Sequence, residues 1–228
     1  MLEYYFVETN MKLAHTCTNM LIDSTLAKDW SCNLFLEKFY RPQDIVIISS
    51  FDLYEHLKNA FNNMNFILST TAGITDIKDV NRIINDYNMS VVIDYHYNNN
   101  DEYLKQIQRP EKVELICAEP CEFTCNHRKQ HYQEISQTQL GLIEYGKDGF
   151  AACPYKTNVE KRVFAEIQKL PQAITNERID ELADVGINHF KISGRPLVFT
   201  QWYETMTYYL VKPKYQQYVA QTLIQQEV

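Results

Sequence analysis

No stretch of this 228-residue chain approaches the ~20 consecutive apolar residues that a helical membrane span requires. The first residues, Met1-Leu-Glu-Tyr-Tyr-Phe-Val-Glu8, include acidic groups and no basic n-region, so no signal peptide is expected. A reducing cytoplasm is the expected setting, where grouped cysteines more often bind metal or do chemistry than form disulfides. Positive charge is scarce as well. With 22 Lys and Arg against 29 Asp and Glu, the net charge is −7. That argues against broad nucleic-acid binding, which needs many basic side chains on phosphates, while leaving room for one RNA recognised through a local patch. Ser69-Thr-Thr71 has no glycine-rich phosphate loop beside it, and no Ser–His–Asp or Cys–His machinery stands in a recognisable context. There is neither an internal repeat nor a long linker, and Asn98-Asn-Asn100 reads as a loop.

What remains is 45% hydrophobic, enough for a sizeable core in one domain over residues 1–228. Ile45-Val-Ile-Ile-Ser49, Asn65-Phe-Ile-Leu-Ser69, Ser90-Val-Val-Ile-Asp94 and Val113-Glu-Leu-Ile-Cys117 read as strands, and Tyr4–Val7 as a short first one. Between them, Asp52 should cap a helix carrying Leu53, Leu57, Ala60 and Phe61, and Thr75-Asp76 should open one carrying Ile77, Val80, Ile83, Ile84 and Tyr87. A short helix is expected over Glu102–Ile107. Lys12–Ile22 has helix-compatible spacing, and Trp30–Phe39 is apolar without a clean period. Further on, Asn126–Gln137 reads as a helix and Gly141–Gly149 as a turn-rich excursion. Thr175 caps a helix over Asn176–Val185 that Gly186 stops, Ile187–Ser193 is the last strand, and two helices separated by Pro213 close the chain. Strand–helix alternation with short connections implies a parallel sheet: a TIM-type (β/α) barrel, complete or not, with an open doubly wound sheet as the alternative. Either architecture puts its site at the carboxyl ends of the strands, here Ser49, Ser69, Asp94, Cys117 and Ser193.

Half of the six cysteines fall between Cys117 and Cys125, in Cys-Ala-Glu-Pro-Cys-Glu-Phe-Thr-Cys. Spacings of four would align the sulfurs on a helix, but Pro120 lacks an N–H and disfavours a helical residue before it. The stretch therefore reads as a loop after a strand. Thiolates are the soft ligands of iron, zinc and copper(I), and several converging ones need a metal to offset their repulsion. His127 and His131, four apart on the following helix, have zinc-compatible spacing. Cys17 and Cys32 have no neighbouring ligand and read as small buried hydrophobes. The Cys-x-x-x-Cys-x-x-Cys spacing of radical-SAM enzymes is not present.

The run from Glu114 through Cys117, Cys121 and Cys125 to His131-Tyr132 resembles the segment Asn-Glu-x-Cys-x-x-x-Cys-x-x-Arg-x-x-His-Tyr of short proteins related to peptidase family U-32. Gly186-Ile-Asn-His-Phe-Lys191-Ile-Ser-Gly194-Arg195 is similar to that family's Gly-x-x-x-x-Lys-Ile-Glu-Gly-Arg strand. The resemblance covers the second half of the chain. It implies a barrel with a four-iron four-sulfur cluster on Cys121 and Cys125, with Cys117 and the distant Cys153 as remaining ligands; Cys-Pro recurs at the last ligand of ferredoxin-type clusters. Relatives carry Asn where this chain has Cys117. His131 matches the motif; Ser193 stands where the family has Glu, which weakens any acid–base role borrowed for that position.

Lys191, Arg195, His131 and Asp94 are the candidate catalytic residues. Lys191 lies on a strand of apolar and small residues, where a charge needs a partner or water, and Arg195 offers a planar fork to a carboxylate or phosphate. A salt bridge from Lys191 to Glu177 or Asp180 is the competing account. The resemblance implies an iron–sulfur enzyme that hydroxylates or otherwise modifies a nucleobase or aromatic ring, with a small molecule or RNA as substrate. The alternatives are a metal-dependent or unconventional peptidase, and a zinc-stabilised binding module without catalysis.

Overall fold

β-Branched runs become strands, and the amphipathic stretches between them become helices. The computed structural model describes residues 11–61, 63–144, 155, 159, 161–193 and 199–226. In chain order the elements are β1 (Ala14–Cys17), α1 (Trp30–Phe39), β2 (Ile45–Ile48), α2 (Phe51–Ala60), β3 (Asn65–Leu68), α3 (Ile77–Asp86), β4 (Ser90–Val92), α4 (Asp101–Leu104), β5 (Val113–Ile116), α5 (Arg128–Gln139), α6 (Phe164–Ile167), α7 (Asn176–Asp184), β6 (His189–Lys191), α8 (Phe199–Leu210) and α9 (Pro213–Gln226). This is a mixed α/β chain whose strand pairs are parallel. No helix among the described residues is long and apolar enough to cross a membrane.

Two compact units make up the chain, Met1–Val92 with Asn126–Ala152, and Ile93–Cys125 with Cys153–Val228. In the first, β1 to β4 lie side by side in chain order, with Ala14 opposite Ile45, Ile45 opposite Asn65 and Ile67 opposite Ser90. The order has no reversal of the kind a doubly wound sheet requires. Val46, Ile48 and Leu68 are buried as parallel-strand residues should be. Asp76 caps α3 by accepting from the Lys78 amide, and Val80, Ile83 and Ile84 form its buried stripe. Burying each is worth about 1.5–3 kcal/mol. In the second unit β5 and β6 pair with Glu114 opposite His189 and Ile116 opposite Lys191.

Several expectations change. Residues 14–17 of the helix-compatible stretch are β1. His15 is buried beside Asp44, and the Leu13 carbonyl accepts from the Ile45 amide at 2.9 Å, so edge pairing overrides local spacing. Trp30–Phe39 is a helix; it lacks a period because Leu36 is its buried residue while Trp30, Phe35 and Phe39 are exposed. Ser50, not Asp52, caps α2, its hydroxyl accepting from the Leu53 amide; Asp52 sits in the first turn. The Glu102–Ile107 helix is the shorter α4, and α6 has no counterpart in the sequence reading. Gly186 stops α7 as expected. Its φ of +95° suits glycine, and a Cβ there would sit 3.0 Å from the Pro110 ring. The last strand is shorter than Ile187–Ser193. The Tyr4–Val7 strand, Cys153, Arg195 and the later part of the Gly141–Gly149 excursion lie outside the described residues.

Candidate functional site

In the second unit Cys117–Cys125 is a loop leaving the carboxyl end of β5, as Pro120 demands. Its shape is imposed from outside. The Cys117 carbonyl accepts from the Ile174 amide at 3.0 Å and from the Tyr209 hydroxyl at 3.2 Å. Gln172, itself buried, donates its amide group to the carbonyls of Glu119 and Cys121 at 3.1 and 2.8 Å. Arg162 donates to the Pro120 carbonyl at 2.7 Å and pairs with Glu122 at 3.0 Å. His96 Nε2 donates to the Phe123 carbonyl at 2.6 Å. A loop whose carbonyls are held this way has little freedom left, which is the condition for a pre-organised site.

Asp94 follows β4 and accepts from the His96 amide at 3.1 Å and faces its Nδ1 at 2.6 Å. Its visible work is to aim the imidazole at the loop. Asn98, fully buried, donates to the carbonyls of Ile116 and Gln172 at 2.8 and 2.7 Å and so joins the strand end to the Gln172 bracket. Asn98, Arg162, Gln172 and Tyr209 are the supporting residues that sequence reasoning missed.

Cys117 and Cys125 are buried and Cys121 is half-buried; none of the described cysteines is in a disulfide. Burial pushes the Cys117 thiol up to about 12, and the Glu114 charge adds to it. Lys191 ends β6 with its carbonyl accepting from the Cys117 amide at 2.9 Å, so these two predicted residues are adjacent across the strand pair. Glu114, a half-buried carboxylate, lies through register on the same face as His189 and Lys191, whose charges act on it. One carboxylate oxygen of Glu114 is buried with no hydrogen bond.

Burial raises the Glu114 pKa above its ordinary 4.5, and Lys191 and His189 oppose the rise only in part. A raised folded-state value means stability is fully present below 4.5 and lost as pH climbs through the raised value. Glu114→Gln should therefore gain stability relative to the native chain as pH rises. Melting both proteins from about pH 4 to about 8 tests this, and a constant gap between the two curves would contradict it.

Beside the loop, the second unit has an open cleft of about 480 Å³ between α6, α8 and α9, lined by Phe164, Tyr203, Thr207 and Tyr208 among others. Phe164 also packs with Ile167 on Ala118 of the cysteine loop, with Tyr208 and Tyr209 against them. The cleft is within the size range of small-molecule sites.

In the first unit, Ser49 and Ser69 follow β2 and β3 and meet at Thr71. Its hydroxyl bonds to Ser49 and lies 2.9 Å from the Ser69 hydroxyl. His131 lies in the first turn of α5, half-buried, and burial lowers its pKa so that the neutral ring is favoured; His127 is exposed at the helix start. Among the described residues no three Cys, His, Asp or Glu side chains gather closely enough to hold a metal ion. Compared with protein-family models, curated proteins and solved structures, the chain matches none.

Proposed function

We propose that the chain is an iron–sulfur enzyme of the β/α-barrel type, with a four-iron four-sulfur cluster held by Cys121, Cys125, Cys153 and Cys117, that hydroxylates or otherwise modifies a nucleobase or another aromatic ring. The observation that carries this reading is the cysteine loop itself: soft donors on a backbone fixed by His96, Arg162, Gln172 and Tyr209, at the carboxyl end of a parallel strand. The donor chemistry of Cys121 and Cys125 suits such a cluster. Cys117 suits it less, since its buried thiol must first lose a strongly held proton. The residue likeness at Cys117–Tyr132 and Gly186–Arg195 supports the same class, and the parallel strands suit a barrel.

When bound, a cluster supplies single electrons. The chain's own residues do the rest. Lys191 and Arg195 bind an anionic substrate group. Asp94 orients His96, which keeps the loop closed at Phe123. Phe164, Tyr203 and Tyr208 give a planar ring apolar faces to lie against, the geometry aromatic side chains favour.

Protein purified without oxygen, or reconstituted with iron and sulfide, should be brown and contain both elements. Cys121→Ser and Cys125→Ser should each cut iron retention roughly tenfold or more, with Cys117→Ser the mildest of the three. A colourless protein carrying stoichiometric zinc would replace this reading with that of a zinc-stabilised module.

A further inference from the structure

The open cleft between α6, α8 and α9 is walled by aromatic rings and hydrogen-bond acceptors, with no basic side chain among the described residues that line it. Residues three and four apart on a helix share a face, and on α8 that face carries Tyr203, Glu204, Thr207 and Tyr208 into the cleft. Gln216 and Ala220, four apart on α9, line it from the other side. The rings are held in place. Phe164 and Tyr208 pack at 5.5 Å with their planes tilted by 58°. The Tyr208 hydroxyl accepts from the Asn176 amide at 3.3 Å, and the Tyr208 carbonyl from Asn176 Nδ2 at 3.1 Å. Gln216 gives its amide group to the carbonyls of Tyr208 and Val211, both at 3.1 Å, so its oxygen is what remains to meet a ligand. Among the described lining residues Glu204 carries the one charge, and it is negative.

We propose that this cleft binds an organic cation, an aromatic ring bearing an ammonium group. The inference rests on the assignment of the cleft to the substrate's ring and adds the sign of the charge carried there. An aromatic face is the negative end of the ring's quadrupole, so Phe164, Tyr203 and Tyr208 attract a cation placed over them. The Glu204 carboxylate draws the same charge, and the Gln216 oxygen accepts from an N–H. An anion would meet these faces and Glu204 with no cation inside the cleft to offset them. A neutral ring gains the stacking and forgoes the charge.

The test titrates the full chain with three probes of similar size: benzyltrimethylammonium, benzyl alcohol and benzoate. Calorimetry gives the affinities, and the methyl resonances of Ala165 and Ala220, which line the cleft, report where each probe sits. The cation should bind roughly fivefold or more tightly than benzyl alcohol, with benzoate weakest, and should shift both methyls. Glu204 is exposed, so Glu204→Gln should fold normally. It should lower the cation's affinity roughly two- to fivefold and leave that of benzyl alcohol unchanged. Tyr203→Leu keeps an apolar wall without the π face, and should weaken the cation more than the alcohol.

Circular dichroism checks that both variants are folded, and iron content, which neither should change, reports separately on the cluster. Benzyl alcohol or benzoate binding as tightly as the cation at these methyls overturns the inference and leaves the cleft as a site for an uncharged or anionic ring. Binding by none of the three overturns the inference together with the assignment of the cleft to a ring. A cation that binds without shifting Ala165 and Ala220, or whose affinity survives both substitutions, sits elsewhere and overturns it too. The probe series on the wild-type chain decides the first two of these results without any variant.

Discussion

Replacing Asp44 by alanine should destabilise the folded chain by about 3–5 kcal/mol, the range for removing one partner of a buried charge pair. Asp44 is fully buried just before β2. Its carboxylate accepts from the Leu13 amide at 2.8 Å, the Arg41 amide at 3.1 Å, and Arg41 Nε and Nη2 at 3.0 and 2.8 Å. His15 of β1 stands 3.6 Å away. One residue therefore ties the approach to β1, the end of α1 and the start of β2 together, and sets the register that places Ala14 opposite Ile45. Alanine takes this acceptor from the Leu13 and Arg41 amides and from Arg41 Nε, while Arg41 Nη2 keeps the Met11 carbonyl at 3.0 Å.

The acid dependence should be specific. Burial alone would raise the Asp44 pKa, but the Arg41 guanidinium and the two backbone amides outweigh it and hold the group at about 2, below its ordinary 3.8. A depressed value means the stabilisation is present above 3.8 and lost as pH falls through about 2. At neutral pH it amounts to about 2 kcal/mol, at 1.36 kcal/mol per unit. Denaturant melts at neutral pH and near pH 2 should show the gap between native and Asp44→Ala proteins narrowing in acid. An unchanged gap would mean that the carboxylate's charge is not what holds the register.

Asp44 also shows where sequence reading stops. β2 and β3 are legible because continuous β-branched and aliphatic runs bury both faces, and α3 because a cap and a 3.6-residue stripe coincide. β1 is not, because Ala14 and Thr16 are exposed and its buried residue is a histidine whose partner lies at Asp44. At the site, the cysteine loop and its position after β5 are legible from Pro120 and the preceding apolar run. The side chains that shape it are not. Arg162, Gln172 and Tyr209 reach the loop from distant positions, and nothing in their local context marks them. Glu114 did leave a signal, a carboxylate in an otherwise apolar strand. Its importance emerges once register puts Lys191 and His189 on the same face.

Gln172→Ala should cost about 2–3 kcal/mol and, if the cysteine loop holds a cluster, should also release iron. The two consequences have one cause. Gln172 is 1% exposed and spends both amide hydrogens on the carbonyls of Glu119 and Cys121, the residues on either side of Pro120. Proline supplies no N–H of its own; the Cys121 amide spans the bend by donating to the Glu119 carboxylate at 3.2 Å, and the carbonyls depend on donors from elsewhere. Truncation strands two carbonyls, each costing about 1–3 kcal/mol if it stays buried; opening the loop to water limits the total and frees Cys121 to wander. Arg162 still holds Pro120 and Glu122, so the fold should survive, with looser cysteines. Ligand positions that wander weaken metal binding by roughly tenfold to a hundredfold, as with other supporting contacts around metal sites. Gln172→Glu is the informative companion, because it keeps the size but offers a carboxylate to two carbonyls and should be worse than alanine. Hydrogen exchange at the Cys121 and Cys125 amides, read beside iron content, separates the parts. Faster exchange with normal iron would show that the loop is pinned by Gln172 but that the metal is held elsewhere. Unchanged exchange would show that Gln172 does not hold the loop at all.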